Sequence, residues 1–385
     1  MNGKERIAAI FAHQPTDRVP IYMGSMSSRI ASKVLGRTAY VGGGFMKWRE
    51  AVALWDGEAA HREFLEQAKQ DALDLAAALD LDYVRPAYWR DSTKPTRKID
   101  DYTFLFGDPE KKWYVMRFDP RTELYNEIDR SVDPEPTEAD LERYVAYVER
   151  SAALAHPTPA SFFNLENAIA VFGETKAIHG GGIGISIPWY QTYGGQIWLE
   201  MAILRPDLVG RILDAKVKTA VKNIKVQAQM GIRYLHGGGD FAGKHGPMYS
   251  PQVFHDLMLP RLQQVSAACK EHGCYHLFAS DGNLWPVADD LFGKSGVEGF
   301  YEIDKDCGMD LRRLRQRFSH LTLLGGISSA RLHRGTRQDV EDEVMSALTV
   351  AKEEGSILVG CSNMVVPETP YENFMYMMEL LHKHC

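Results

Sequence analysis

Phe278-Ala279-Ser280-Asp281-Gly282-Asn283-Leu284 closes an apolar run that begins at Tyr275, and a segment with helical spacing follows it from Leu284 to Leu291. An apolar run that breaks into Ser, Asp, Gly and Asn ahead of a helix reads as the C-terminal end of a buried strand. In parallel α/β folds that end is where chemistry is assembled. The pattern recurs at Asp82–Tyr88, Ile183–Pro188, Ile232–Asp240, Gly299–Asp304, Leu321–Ser328 and Ser356–Asn363. Counting Val19–Met23, entered through Pro20, gives eight strands and predicts an α/β fold of the (β/α)8 TIM-barrel class. Ser161–Leu165 competes for a place in that count, but the class survives an error of one strand. A doubly wound sheet is the rival. Neither Gly180-Gly181-Gly182-Ile183-Gly184 nor Gly237-Gly238-Gly239 has the Walker lysine or the Rossmann spacing, which counts against it.

Outward from that core, Lys4–His13 carries Ile7, Ile10 and Phe11 at helical spacing and stops before Gln14-Pro15. Residues 25–79 read as irregular helix that caps the barrel. Tyr102–Phe106, a turn at Gly107-Asp108-Pro109 and Trp113–Phe118 read as a β-hairpin. Thr137 caps an amphipathic helix running to Ala155. The expected organisation is one domain over 1–385, with an N-terminal helical extension in 1–80 and a hairpin insertion in 101–129.

The chain has 385 residues, 45% of them hydrophobic, which is enough for one large core. It contains no long apolar run and no signal-like N-terminus, so a cytoplasmic protein is expected. A net charge of −7, with Lys and Arg scattered, argues against nucleic acid as a partner. Five cysteines without a CxxC indicate neither a disulfide framework nor a zinc ribbon.

Strand ends supply the candidate site. Asp281 at an apolar barrel mouth fits a general acid with a raised pKa, or alternatively a helix N-cap. Asp240 is a second strand-end carboxylate. His236 shares that strand end, where Gly237–Gly239 would let a ligand or backbone come close. Tyr22, Asn164, Trp189, Tyr190, Tyr193 and Glu302 are candidates to line the substrate pocket, and the aromatic residues suit a flat or methylated molecule. Lys244 and His245 in the following loop are candidates for an anionic group of the substrate or of a partner's cofactor. His276, five residues before Asp281, belongs to the opposite strand face. Cys361, at the last strand end, is the candidate for a free thiol with a function.

Arg6 with Asp17-Arg18-Val19-Pro20, Gly246–Phe254, Asp281-Gly282-Asn283, Gly308-Met309-Asp310 and Pro370-Tyr371-Glu372-Asn373 come in an order that resembles the uroporphyrinogen decarboxylase superfamily. Within it the chain looks more like the corrinoid-dependent methyltransferase branch. That resemblance implies a TIM barrel that moves a methyl group between a small methylated substrate, such as a methyl ether or methylamine, and the cobalt of a corrinoid (cobalamin). No Asp-x-His-x-x-Gly motif is present, so the corrinoid is expected on a partner protein. The decarboxylase carries arginines after its first strand to pair substrate carboxylates. Here Tyr22-Met23-Gly24-Ser25-Met26 stands in their place, which disfavours that reaction. Thiol-methylating members hold zinc through His-x-Cys at one strand end and Cys at the last. Ala279 and Asp281 occupy the first two positions here and Cys361 keeps the third, which puts zinc in question. A metal-free decarboxylase of a small acid and a non-catalytic small-molecule or corrinoid-protein binder are the alternative functions.

Overall fold

The computed structural model describes residues 1–86, 93–132, 135–188 and 195–385. Eight parallel strands form the barrel: β1 (Ile21–Met26), β2 (Tyr83–Val84), β3 (Ala177–Gly180), β4 (Tyr234–Gly238), β5 (Tyr275–Ala279), β6 (Gly299–Tyr301), β7 (Thr322–Ile327) and β8 (Ile357–Val365). They pair in the order β1-β8-β7-β6-β5-β4-β3-β2. Strands covered on both faces read as apolar runs, which is why the sequence showed them.

Two residue sets separate by strand alternation. Tyr22, Tyr83, Tyr234, Leu277, Tyr301, Leu324 and Leu358 cluster inside the barrel. Ile21, Val84, Leu235, Phe278, Phe300, Leu323, Val359 and Cys361 belong to the larger core shared with the surrounding helices. Helix α1 (Gly3–Phe11), held by a capping box between Asn2 and Glu5, sends Ile7, Ile10 and Phe11 into the interior set. It plugs the barrel from its N-terminal end, with Phe11 4.8 Å from the Tyr234 ring and 4.9 Å from that of Tyr275.

At the seam between β1 and β2, Ile21 N–H donates to the Asp82 carboxylate at 2.9 Å and Asp82 N–H donates to the Ile21 carbonyl at 3.3 Å. Asp82 is 2% exposed and pairs with Arg6 at 2.5 Å and Arg18 at 2.9 Å. Arg6 also reaches Asp17 at 2.7 Å. The Arg6 and Asp17-Arg18 motif therefore ties plug and seam together rather than touching the mouth.

Several expectations change. The first strand, expected at Val19–Met23, is Ile21–Met26, and within 1–80 helix α1 precedes it. Helices α2 (Ser28–Leu35), α3 (Gly43–Asp56) and α4 (Glu58–Ala78) form an excursion between β1 and β2. The third strand is Ala177–Gly180, not Ile183–Pro188. Ile183, Ile185 and Ile187 are buried, but residues 183–188 join no ladder. Alternating apolar residues report burial, and burial does not require pairing. Residues 161–165 are helical, and the segment after Asn283 is made of short 3-10 and π-type turns. The hairpin is half of a four-stranded antiparallel sheet of Arg97–Lys98, Thr103–Gly107, Trp113–Asp119 and Leu124–Arg130. That sheet packs on α3, where Trp48 stacks on Phe118 at 4.5 Å.

Candidate active site

Strand β5 carries Ala279 on its inward face, and two residues further Asp281 stands at the rim. Both Asp281 carboxylate oxygens accept from Asn363 Nδ2, at 2.8 and 2.9 Å, so the end of β8 is linked to the end of β5. Asp281 N–H donates to Asp240 Oδ1 at 3.2 Å, drawing in the end of β4. Asp281 does not cap the following turn, whose Trp285 N–H is taken by Asn283 Oδ1. The N-cap reading of Asp281 falls.

Burial pushes the Asp281 carboxyl up to about 6. The neighbouring Asp240 charge adds to this, while the Asn363 bond opposes it. Glu302, one residue past β6, is pushed up to about 7, again by burial first and then by Asp281, with Arg85 pulling the other way. Its φ of 63° is left-handed, a conformation that a glutamate adopts only when its surroundings hold it there. Burial and neighbouring charge therefore let Asp281 and Glu302 hold their protons to higher pH than exposed carboxyls do.

Beneath the rim lies a layer of rings. The imidazoles of His179 and His236 stack with centroids 3.4 Å apart, and His236 meets the Tyr301 ring at 4.3 Å. His236 Nε2 and Tyr83 Oη are 2.5 Å apart. Burial holds both histidines well below their usual range, with neighbouring charges adding to it. Two neutral rings stack where two cations would repel. His179 Nδ1, His236 Nδ1 and Tyr22 Oη are buried without a hydrogen-bond partner among the described residues. Beside this layer a cavity of about 470 Å³ is lined by Ser25, Arg85, Phe162, Asn164, His179 and Gly181, among others, and walled by the start of α3. That size suits a small molecule.

The structure thus brings Asp240, Asp281, Glu302, His236 and Tyr22 to one end of the barrel. Asn164 lies on the cavity wall and donates to the Pro86 carbonyl at 3.2 Å. Trp189, Tyr190 and Tyr193 lie outside the described residues. Lys244 and His245 are exposed at the tip of a two-stranded hairpin, Ala242–Gly243 and Gly246–Pro247, outside the cavity lining. At Gly238, with φ of 102°, a Cβ would lie 2.2 Å from the Ala279 carbonyl oxygen, so that glycine serves a close backbone approach. His276 is buried among the helices, 2.8 Å from Ser266 Oγ.

Cys361 is fully buried in the helix-facing core, and burial pushes its thiol up to about 12. It lies on the same strand face as Ile357 and Val359, so the structure does not join it with Asp281 as a ligand pair. Among the described residues no group of three or more His, Cys, Asp or Glu side chains is arranged to hold a metal ion. The zinc site of the thiol-methylating members does not fit these residues. Sequence reasoning missed Arg85 and His179. Arg85 was legible as a lone cation in the Tyr83-Val84-Arg85-Pro86 strand end, whereas His179 was hidden by the misplaced third strand.

The family model described as uroporphyrinogen decarboxylase (URO-D) matches residues 191–384. The chain belongs to the uroporphyrinogen decarboxylase family. No curated protein matches its sequence. Among solved structures, a methyltransferase from Methanosarcina mazei superposes with a TM-score of 0.65 at 16% identity, covering 100% of this chain and 99% of that one. The uroporphyrinogen decarboxylase fold is thus shared from end to end, including the region before residue 191. No helix among the described residues is long and apolar enough to cross a membrane.

Proposed function

We propose that this family member is a methyltransferase that takes a methyl group from a small methylated substrate, a methyl ether or methylamine, for delivery to a corrinoid carried by a separate protein. The observation that carries the reading is the pair of raised carboxyls, Asp281 and Glu302, which line a cavity of about 130 Å³ at the barrel mouth, with the cavity of about 470 Å³ beside the ring layer. The fold shared with a protein named a methyltransferase supports it. Among the described residues, carboxyls outnumber basic groups at the mouth, which would repel a tetrapyrrole bearing many carboxylates, so decarboxylation of such a molecule is disfavoured. A corrinoid is far larger than the cavity and would meet the mouth from outside, on its own protein.

When bound there, the corrinoid supplies the cobalt electron pair that accepts the methyl group. The protein's own residues do the rest. The bond from methyl carbon to heteroatom breaks with its electron pair left on the heteroatom, and a carboxylic acid, Glu302 or Asp281, returns a proton to it. The cavity wall holds the donor in line and excludes water. Glu302, read from sequence as a substrate-binding residue, has a carboxyl raised as that of Asp281 is and is a second candidate for the acid.

Incubation with methoxybenzoates or methylamines and chemically reduced free cobalamin, followed by mass spectrometry of the demethylated product, tests the reading. Product is expected only when reduced cobalamin is present. Asp281→Asn is expected to lower turnover by roughly 100-fold or more. A second reading, decarboxylation of a small acid, is favoured by the raised carboxyls of Asp281 and Glu302, either of which would protonate the carbon left as carbon dioxide departs. Carbon dioxide release by the isolated chain, with no demethylation, would replace the first reading with the second.

A further inference from the structure

Arg85 is half-buried at the end of β2 and makes no hydrogen bond or ion pair with any described residue. A partly desolvated guanidinium left without a counter-charge is costly, and an incoming anion removes that cost. It lines the same cavity as His179, which is 8% exposed and whose Nδ1 is buried and unpartnered. Neutral imidazole protonated on Nδ1 is a second donor. On the other side of the ring layer, running from His179 through His236 and Tyr301 to Glu302, stand the carboxyls. Among the described residues, Arg85 in one cavity and Asp281 and Glu302 in the next therefore give the barrel mouth two chemically different ends.

We propose that Arg85, assisted by His179, anchors a carboxylate on the substrate, so that the methyl donor is a small molecule with one carboxylate at one end and the methylated heteroatom at the other. The proposal rests on the methyl-transfer reading and narrows it. An arginine bound to a carboxylate stabilises the charged group, which suits an anchor that persists through the reaction. It would oppose loss of that same group as carbon dioxide. The acid end repels a second anionic group, so a monocarboxylate is selected over a polycarboxylate.

Calorimetric titration with benzoate, its neutral isostere benzamide and inorganic phosphate reads the anchor without turnover. Benzoate is expected to bind at least 10-fold more tightly than benzamide, and phosphate should not displace it. Arg85→Gln is expected to weaken benzoate roughly 10- to 100-fold. Arg85→Lys should keep part of the affinity, which shows that the site still folds. Equal binding of benzoate to wild type and Arg85→Gln, equal binding of benzamide, or displacement by phosphate would overturn the proposal. Kinetics separates it from the reading beneath it. If anisole is demethylated with the same kcat/KM as 4-methoxybenzoate, the anchor fails and methyl transfer stands. If benzoate binding depends on Arg85 but no methoxy compound is demethylated, the anchor stands and methyl transfer fails.

Discussion

Glu302 combines a left-handed backbone with a carboxyl that burial pushes up to about 7, two costs accepted at one position. A carboxyl raised in the folded state contributes its stability in full below the unfolded pKa of about 4.3 and loses it as pH rises through about 7. Glu302→Gln has no such titration. Urea midpoints at pH 5 and pH 8 are therefore expected to differ less for the variant than for the wild type. The gap corresponds to roughly 1–2 kcal/mol once solvent screening is included. An unchanged gap would mean that Glu302 ionises freely. Activity is expected to run the same way, falling in the wild type as pH rises through about 6 to 7 and the acid is lost. At this scale the sequence showed Asp281 and Asp240 because a carboxylate after an apolar run stands out. It did not show that Glu302 has a raised pKa as Asp281 does, because that depends on neighbours from other strands.

Helix α1 and the seam of β1 with β2 depend on one another through Arg6 and Asp82. With Arg6→Ala, Asp82 keeps Arg18 but loses its buried partner, and the expected loss is about 3 kcal/mol in urea unfolding. A loss below about 1 kcal/mol would show that Arg18 alone satisfies the carboxylate. The helix was legible from Ile7, Ile10 and Phe11, and β5 from its apolar run. The third strand was not. Ala177-Ile178-His179-Gly180 is short and half polar, yet it pairs with β2 and β4. The more apolar residues 183–187 only pack. Ladder pairing depends on where the neighbouring backbone lies, and a side-chain pattern does not carry that information.

The whole molecule consists of a barrel sealed below by α1 and a smaller sheet packed on α3, whose first residues wall the cavity. Phe104, fully buried in that second cluster, is its anchor. Phe104→Ala is expected to cost about 3–5 kcal/mol locally, read by hydrogen exchange as lost protection over 97–130 and α3 while β4 to β8 stay protected. Uniform loss across the barrel would show that the two cores unfold as one. By itself the sequence determined the barrel, the hairpin and the strand-end carboxylates, because strand burial, turn chemistry and polar breaks are local patterns. Only the tertiary structure decided that Cys361 faces the helices, that His179 stacks on His236 and that Arg85 stands without a partner beside the cavity. Those facts depend on which strand faces which, and on how much solvent the folded neighbours leave.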